Sequence, residues 1–290
     1  MRRGALYLLD GWARRSAALL LGLALHLALA APAVSQVLGV AGVVPSTTRT
    51  DSLVALLEAP DPAKLRELET HYRENADPEK RLLEKRFGLF EHHYRVDADP
   101  RGITRRWRAE GLEGEAFDRA VLEVVTGRYS AYYFFDGVIR PNVFAPTRST
   151  RGVESALHEK VHLVQPALYR SLGLRCAWRR PDDPCVRSLE PVAVYLTEFA
   201  RLKRASPSRT DRSVNRAIER WLAMEALRCD YPRPVSRCPH AERVREYLVE
   251  PLDLARVIDR LGLEEGIRRY VEGLSSADLA GLAPGPSPAR

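Results

Sequence analysis

Two histidines four residues apart, with a glutamate between them, lie in the middle of an apolar stripe. The segment is His158-Glu159-Lys160-Val161-His162, and the stripe is Val153, Leu157, Val161, Val164 and Leu168. Apolar residues recurring every three or four positions specify a helix with one face in the core. On such a helix His158 and His162 share a face one turn apart, so both imidazoles reach one zinc ion while Glu159 projects beside them. Pro166 is expected to end or kink this helix. Gln165, nearly one turn past His162, is placed to orient a histidine or a substrate.

The surroundings of that helix change in character along the chain. Residues 52–126 read as short helices, with Leu53, Leu56 and Leu57 on one face and Leu65, Leu68 and Tyr72 repeating at helical spacing. Pro60, Pro62, Pro78 and Pro100 divide them, and the last, Glu115 to Val125, stops at Thr126-Gly127. The adjacent pair His92-His93 points in two directions on any helix and is assigned to surface or packing. Aromatic residues then dominate Tyr129 to Phe135, Asp136-Gly137 signals a two-residue hairpin turn, and Val138-Ile139 resumes the apolar pattern. Pro141 and Pro146 confine the second strand to a sheet edge. After Gly152 the pattern is helical again except for two cysteine loops. The expected fold class is therefore α+β, mainly α: an active-site helix beside a small hairpin or sheet, with helical segments before and after it.

Four cysteines form two local pairs of equal spacing, Cys176–Cys185 and Cys229–Cys238, around the Pro- and Arg-rich loops CAWRRPDDPC and CDYPRPVSRC. Structural zinc sites use gaps of two to four residues inside a pair, and these gaps hold eight. Two local disulfides in an oxidising compartment are the expectation. The N-terminus agrees. Arg2, Arg3, Arg14 and Arg15 precede an apolar run from Ala17 to Ala31, followed by small residues suited to a signal peptidase. Residues 1–33 read as a signal peptide, or as a retained membrane anchor if the apolar stretch through Val44 is kept, since it supplies the ~20 residues a span needs. Residues 34–51 read as a tether and 284–290 as a frayed tail. The location is extracytoplasmic: periplasmic, secreted or membrane-anchored.

The formal charge is +7, of which residues 1–33 carry +3 (four arginines against Asp10), leaving +4 for the remainder. The cations are interspersed with acids in KRLLEKR, RRWRAE, RAIERW and HAERVRE, a pattern of solvated helix faces laced by ion pairs. No aromatic-interleaved basic stripe appears, so no nucleic-acid partner is expected.

The stretch from Tyr129 to Phe199, through the HExxH motif, resembles the zincin metallopeptidases. The resemblance implies a catalytic core over residues 127–206, with His158 and His162 as zinc ligands and Glu159 as general base. It also implies a substrate-pairing edge strand, placed around Val138 to Phe144. Metzincins continue the motif with a glycine and a third histidine; Gln165 and Leu168 stand at those positions, which excludes that branch. Gluzincins take a glutamate from a following helix. SLEPVAVYLTEFARL supplies Glu190, near a helix start set by Pro191, and Glu198 two turns on. Glu190 is the first candidate, Glu198 the second, with Asp182, Asp183 and His240 behind them. The disulfide loop Cys176–Cys185 lengthens the gap from His162 to Glu190 and brings the second helix back over the first. Tyr195, one turn past Glu190, is the candidate oxyanion donor, with His240 as its rival.

The activity implied is that of an exported zinc-dependent metallopeptidase acting on a peptide or protein substrate. Membrane association would come through the N-terminal apolar segment. The alternative is a non-catalytic envelope protein in which a zincin-like fold serves as a binding or structural module. Residues 52–126 and 207–283 are helical segments with no motif of their own.

Overall fold

The computed structural model describes residues 60–145, 151–229 and 244–280, apart from 128, 130, 134, 179 and 181, together with residues 55 and 57. The expected signal peptide, tether and tail, and the partners expected at Cys238 and His240, lie outside the described residues.

The fold is α+β and mainly α. Helices α1 (Pro62–Glu74), α2 (Asp77–Arg86), α3 (Pro100–Ala109) and α4 (Gly114–Val125) precede and flank a small sheet. Prolines stand in the first turn of α1, α2 and α3, where the missing N–H costs nothing, and Asp61 and Asp99 cap α1 and α3. The sheet strands are β1 (Arg95–Val96), β2 (Ala131–Tyr133) and β3 (Val138–Pro141). The helix carrying both histidines is α5 (Arg151–Ser171), followed by α6 (Pro184–Arg187), α7 (Leu189–Ala205) and α8 (Asp211–Arg228). A π-helix at Arg245–Val249 leads into α9 (Glu250–Leu261), α10 (Leu263–Val271) and α11 (Ser276–Ala280).

The order in the sheet is β1-β3-β2, so β3 is the central strand and not the edge. Pro141 is tolerated there because it is the last residue of β3 and faces Ala131 of β2, while the two-residue β1 pairs only with Val138 and Ile139. A proline at the end of a ladder breaks no inner bond. Strand β2 runs antiparallel to β3 and, among the described residues, has no strand on its other side. The hairpin turn is also wider than two residues. Phe135 and Gly137 both take positive φ, 55° and 74°, and Arg140 clamps the Asp136 carboxylate from two nitrogens at 3.1 and 2.8 Å.

Helix α5 is continuous through Pro166. Its Leu157, Val161 and Leu168 enter the main core, and Ala156 enters a second cluster with Leu68, Tyr72 and Ile139 beneath the sheet. Helix α7 is buried on every side from Pro191 to Ala200. It is the central rod of the domain, and α2, α5, α8, α9 and the π-helix all pack on it. Of the described helices after residue 207, α8, the π-helix, α9 and α10 share one core with α5. His92 belongs to packing as expected: its N–H and Nδ1 meet the buried Glu84 carboxylate at 2.7 and 3.2 Å, beside the buried Lys80.

Cys176 and Cys185 are joined as a disulfide, which points to an oxidising, extracytoplasmic setting. Cys229 is also disulfide-bonded. No helix among the described residues is long and apolar enough to cross a membrane.

Candidate metal centre

Helical spacing brings His158 and His162 together on α5, with ring centroids 4.7 Å apart and Nε2 atoms at 3.1 Å. Glu190 completes the group from the first turn of α7. Its Oε2 is 3.2 Å from His158 Nε2 and its Oε1 is 3.5 Å from His162 Nε2. The helix start suits a carboxylate, since the unpaired N–H groups there favour negative charge. Burial would raise the Glu190 carboxyl, but the two imidazoles hold it well below the usual carboxylate range. Burial likewise pulls His162 down, and the Glu190 and Glu159 carboxylates outweigh it, pushing the imidazole up to about 9.

The donor set fits zinc. Three ligand atoms at about 2.0–2.1 Å from a tetrahedral centre stand roughly 3.3–3.4 Å from one another. The observed separations lie close to that edge length: 3.1 Å between the two Nε2 atoms, 3.2 Å from His158 Nε2 to Glu190 Oε2 and 3.5 Å from His162 Nε2 to the other oxygen of that carboxylate. Two nitrogens and one carboxylate are also the protein complement of zinc sites that leave a fourth position open.

The second layer locks this geometry. Gln165 Oε1 lies 2.6 Å from His162 Nδ1, and Gln165 Nε2 donates to the Leu189 carbonyl at 2.8 Å. One amide thus ties the second histidine to the residue just before Glu190. Tyr169 lies close to Gln165, and its hydroxyl is 3.1 Å from Ser188 Oγ, which in turn donates to the Cys185 carbonyl at 3.0 Å. The disulfide loop therefore connects to the histidines through Ser188 and Gln165. On the opposite face, the wholly buried Lys160 donates from Nζ to Asp77 Oδ1 at 2.6 Å and to the Asn75 carbonyl, pinning α5 to the end of α1. Glu159 is buried on the sheet side, where its charge acts on Tyr72, Tyr133 and His162.

The other expected residues are placed elsewhere. Glu198 accepts from Arg201 at 2.6 Å and is not part of the histidine group. Asp183 caps α6 through Cys185 N–H at 2.9 Å, and Asp182 pairs with Arg180 at 3.1 Å on the surface. Cys176, Asp183 and Cys185 also cluster, but both sulfurs are consumed by the disulfide. Tyr195 requires correction. Its side chain is wholly buried and its hydroxyl donates to Asn215 Oδ1 at 2.8 Å, in the packing between α7 and α8, so it is a core hydroxyl. Sequence reasoning missed Tyr247 on the π-helix, whose ring stacks on His158 with centroids 6.2 Å apart and planes at 22°. Nothing in HAERVREYLVE singles it out, because a π-turn has no sequence period to betray it.

The edge expected around Val138 to Phe144 falls on the central strand, whereas β2 has no described strand on its other side. Strand β2 packs beside α5, and its residue Tyr133 lies within electrostatic reach of Glu159. Comparison with protein-family models, with curated proteins and with solved structures finds no match for this chain.

Proposed function

We propose that the protein is an extracytoplasmic zinc-dependent peptidase of the gluzincin kind, in which His158, His162 and Glu190 hold the metal. The observation that carries this reading is the approach of two imidazole Nε2 atoms and one carboxylate to within 3.1–3.5 Å of one another, close to the edge length of a zinc tetrahedron. Residues 1–33 direct export, and the chain acts in the periplasm, outside the cell or tethered to a membrane.

A zinc ion held there polarises a carbonyl as a Lewis acid and lowers the pKa of a water to about 7. The protein supplies the remaining chemistry. Glu159, between the histidines and β2, takes the proton of the attacking water on its carboxylate. The peptide lies along the side of β2 that no described strand covers, antiparallel to it, where main-chain hydrogen bonds hold the scissile carbonyl above α5. Tyr247, over His158, is the side chain from the C-terminal helices that donates to the developing oxyanion. Gln165 keeps the His162 ring in one tautomer and orientation. A purely structural zinc site would have no use for Glu159, which favours catalysis over the role of a non-catalytic module.

The test is Glu159→Ala in the purified protein. Zinc is expected to stay bound while hydrolysis of a casein-like substrate disappears. Hydrolysis that survives the substitution, or wild-type protein that cleaves nothing when zinc-loaded, contradicts the peptidase reading.

A further inference from the structure

Four aromatic rings form a row beside the candidate centre that the chemistry above does not use. Tyr169 of α5 is wholly buried and stacks on Trp178, with centroids 5.8 Å apart and planes at 16°. Trp178 belongs to the loop closed by Cys176 and Cys185. Beyond it stands Phe135 at the hairpin tip, 6.0 Å away, and then Tyr133 of β2 at 5.2 Å. The row leaves α5 seven residues past His162 and returns to Tyr133 beside Glu159. Its two middle members are exposed, Phe135 by 43% and Trp178 by 37%, although both are large apolar rings. Phe135 is held at φ 55°, a conformation that residues other than glycine, asparagine and aspartate rarely take, and its ring meets that of Trp178.

We propose that Phe135 and Trp178 form a specificity subsite that takes an aromatic or large aliphatic side chain of the substrate peptide. This rests on the peptidase reading of the centre. Tyr133 lies within electrostatic reach of Glu159, and Phe135 stands two residues further along the chain with its ring 5.2 Å from that of Tyr133. An extended peptide advances about 3.3 Å per residue, so one running along β2 presents to the two rings a side chain about two or three residues from the scissile bond. The chemistry of the rim selects an apolar occupant over a cationic one. Of the acids on the two loops, Asp136 and Asp182 are paired with Arg140 and Arg180 at 2.8 and 3.1 Å and Asp183 accepts from the Ala177 and Cys185 N–H groups, so each carboxylate already has a partner before a lysine or arginine arrives.

The experiment uses internally quenched peptides that differ only at the second or the third residue on either side of the scissile bond, carrying Phe, Leu, Ala, Lys or Glu. Wild type is expected to favour Phe or Leu over Ala by about tenfold in kcat/KM on one side. Trp178→Ala and Phe135→Ala, made separately, are expected to cut that preference below threefold through KM, with zinc content unchanged. A purely structural role for the rings would instead lower Tm and slow all peptides alike, and that result overturns the proposal, as does a preference that survives in both variants. A binding arm separates this proposal from the reading it rests on. Zinc-loaded Glu159→Ala protein is titrated with the Phe and Ala peptides while tryptophan fluorescence is followed. Tighter binding of the Phe peptide, with a signal lost in Glu159→Ala/Trp178→Phe, supports the subsite even if wild type cleaves nothing. Equal binding of the two peptides overturns it even if wild type is active.

Discussion

His158 Nε2 and Glu190 Oε2 lie 3.2 Å apart although the two residues are separated by 32 positions in the chain. The disulfide loop accounts for that approach: Ser188 is tied to Cys185, Leu189 to Gln165, and Gln165 to His162. Glu190 follows directly at the start of α7. Glu190→Ala is therefore expected to lower zinc affinity at least tenfold, as loss of one of three protein ligands should. Glu198→Ala, which removes only the partner of Arg201, is expected to leave it unchanged. Competition with a chromophoric chelator checks both, and the reverse pattern would reassign the ligand.

The two tyrosines separate structure from chemistry. Tyr195→Phe strips a buried hydrogen bond and leaves Asn215 Oδ1 without it, at a cost of about 1–3 kcal/mol. The expected result is a lower Tm with kcat unchanged. Tyr247→Phe is expected instead to lower kcat about a hundredfold, the usual loss when one oxyanion donor is removed. Steady-state kinetics and thermal melts on the same preparations decide between them.

Lys160 gives the fold a pH dependence. Burial would raise the Asp77 carboxyl, but the Lys160 and Tyr94 hydrogen bonds outweigh it and leave the pKa below its usual value. A depressed carboxylate contributes stability that is complete above its unfolded pKa and is lost as pH falls through the folded one. Tm is thus expected to fall as the pH drops below the ordinary carboxylate range of about 4. Lys160→Met should lower Tm at neutral pH and flatten that acid slope. An unchanged slope in melts across this range would remove Asp77 as its source.

Replacing Cys176 and Cys185 together by serine reopens a local loop of sequence separation nine. The loop-closure entropy lost to the unfolded chain corresponds to roughly 2–3 kcal/mol of stability. Because the loop holds Ser188 and Leu189 against α5, zinc affinity is expected to fall several-fold as well. Denaturant titration and chelator competition measure the two effects. A loss of stability with full zinc affinity would show that the loop does not brace the centre.

The histidines and Glu159 were legible because a helix imposes its own period, and the stripe from Leu157 to Leu168 states that period plainly. Glu190 and Glu198 lie on one helix, and what separates them is tertiary: Gln165 ties Leu189, and so the start of α7, to His162, while the burial of the rest of α7 carries Tyr195 into the core. The rank of β3 in its sheet depends on pairing with Arg95–Val96, a strand too short to signal itself. Pro141 misled because its cost depends on where along the strand it falls. Tyr247 and the pairing of Phe135 with Trp178 join segments far apart in sequence, and no local pattern encodes them.

The most direct measurement is the zinc content of the purified wild-type protein beside His158→Ala/His162→Ala, by elemental mass spectrometry after dialysis. One zinc per wild-type chain and none in the double variant is the result expected. Wild-type protein that retains no zinc, or a double variant that retains a full equivalent, would contradict the metal centre.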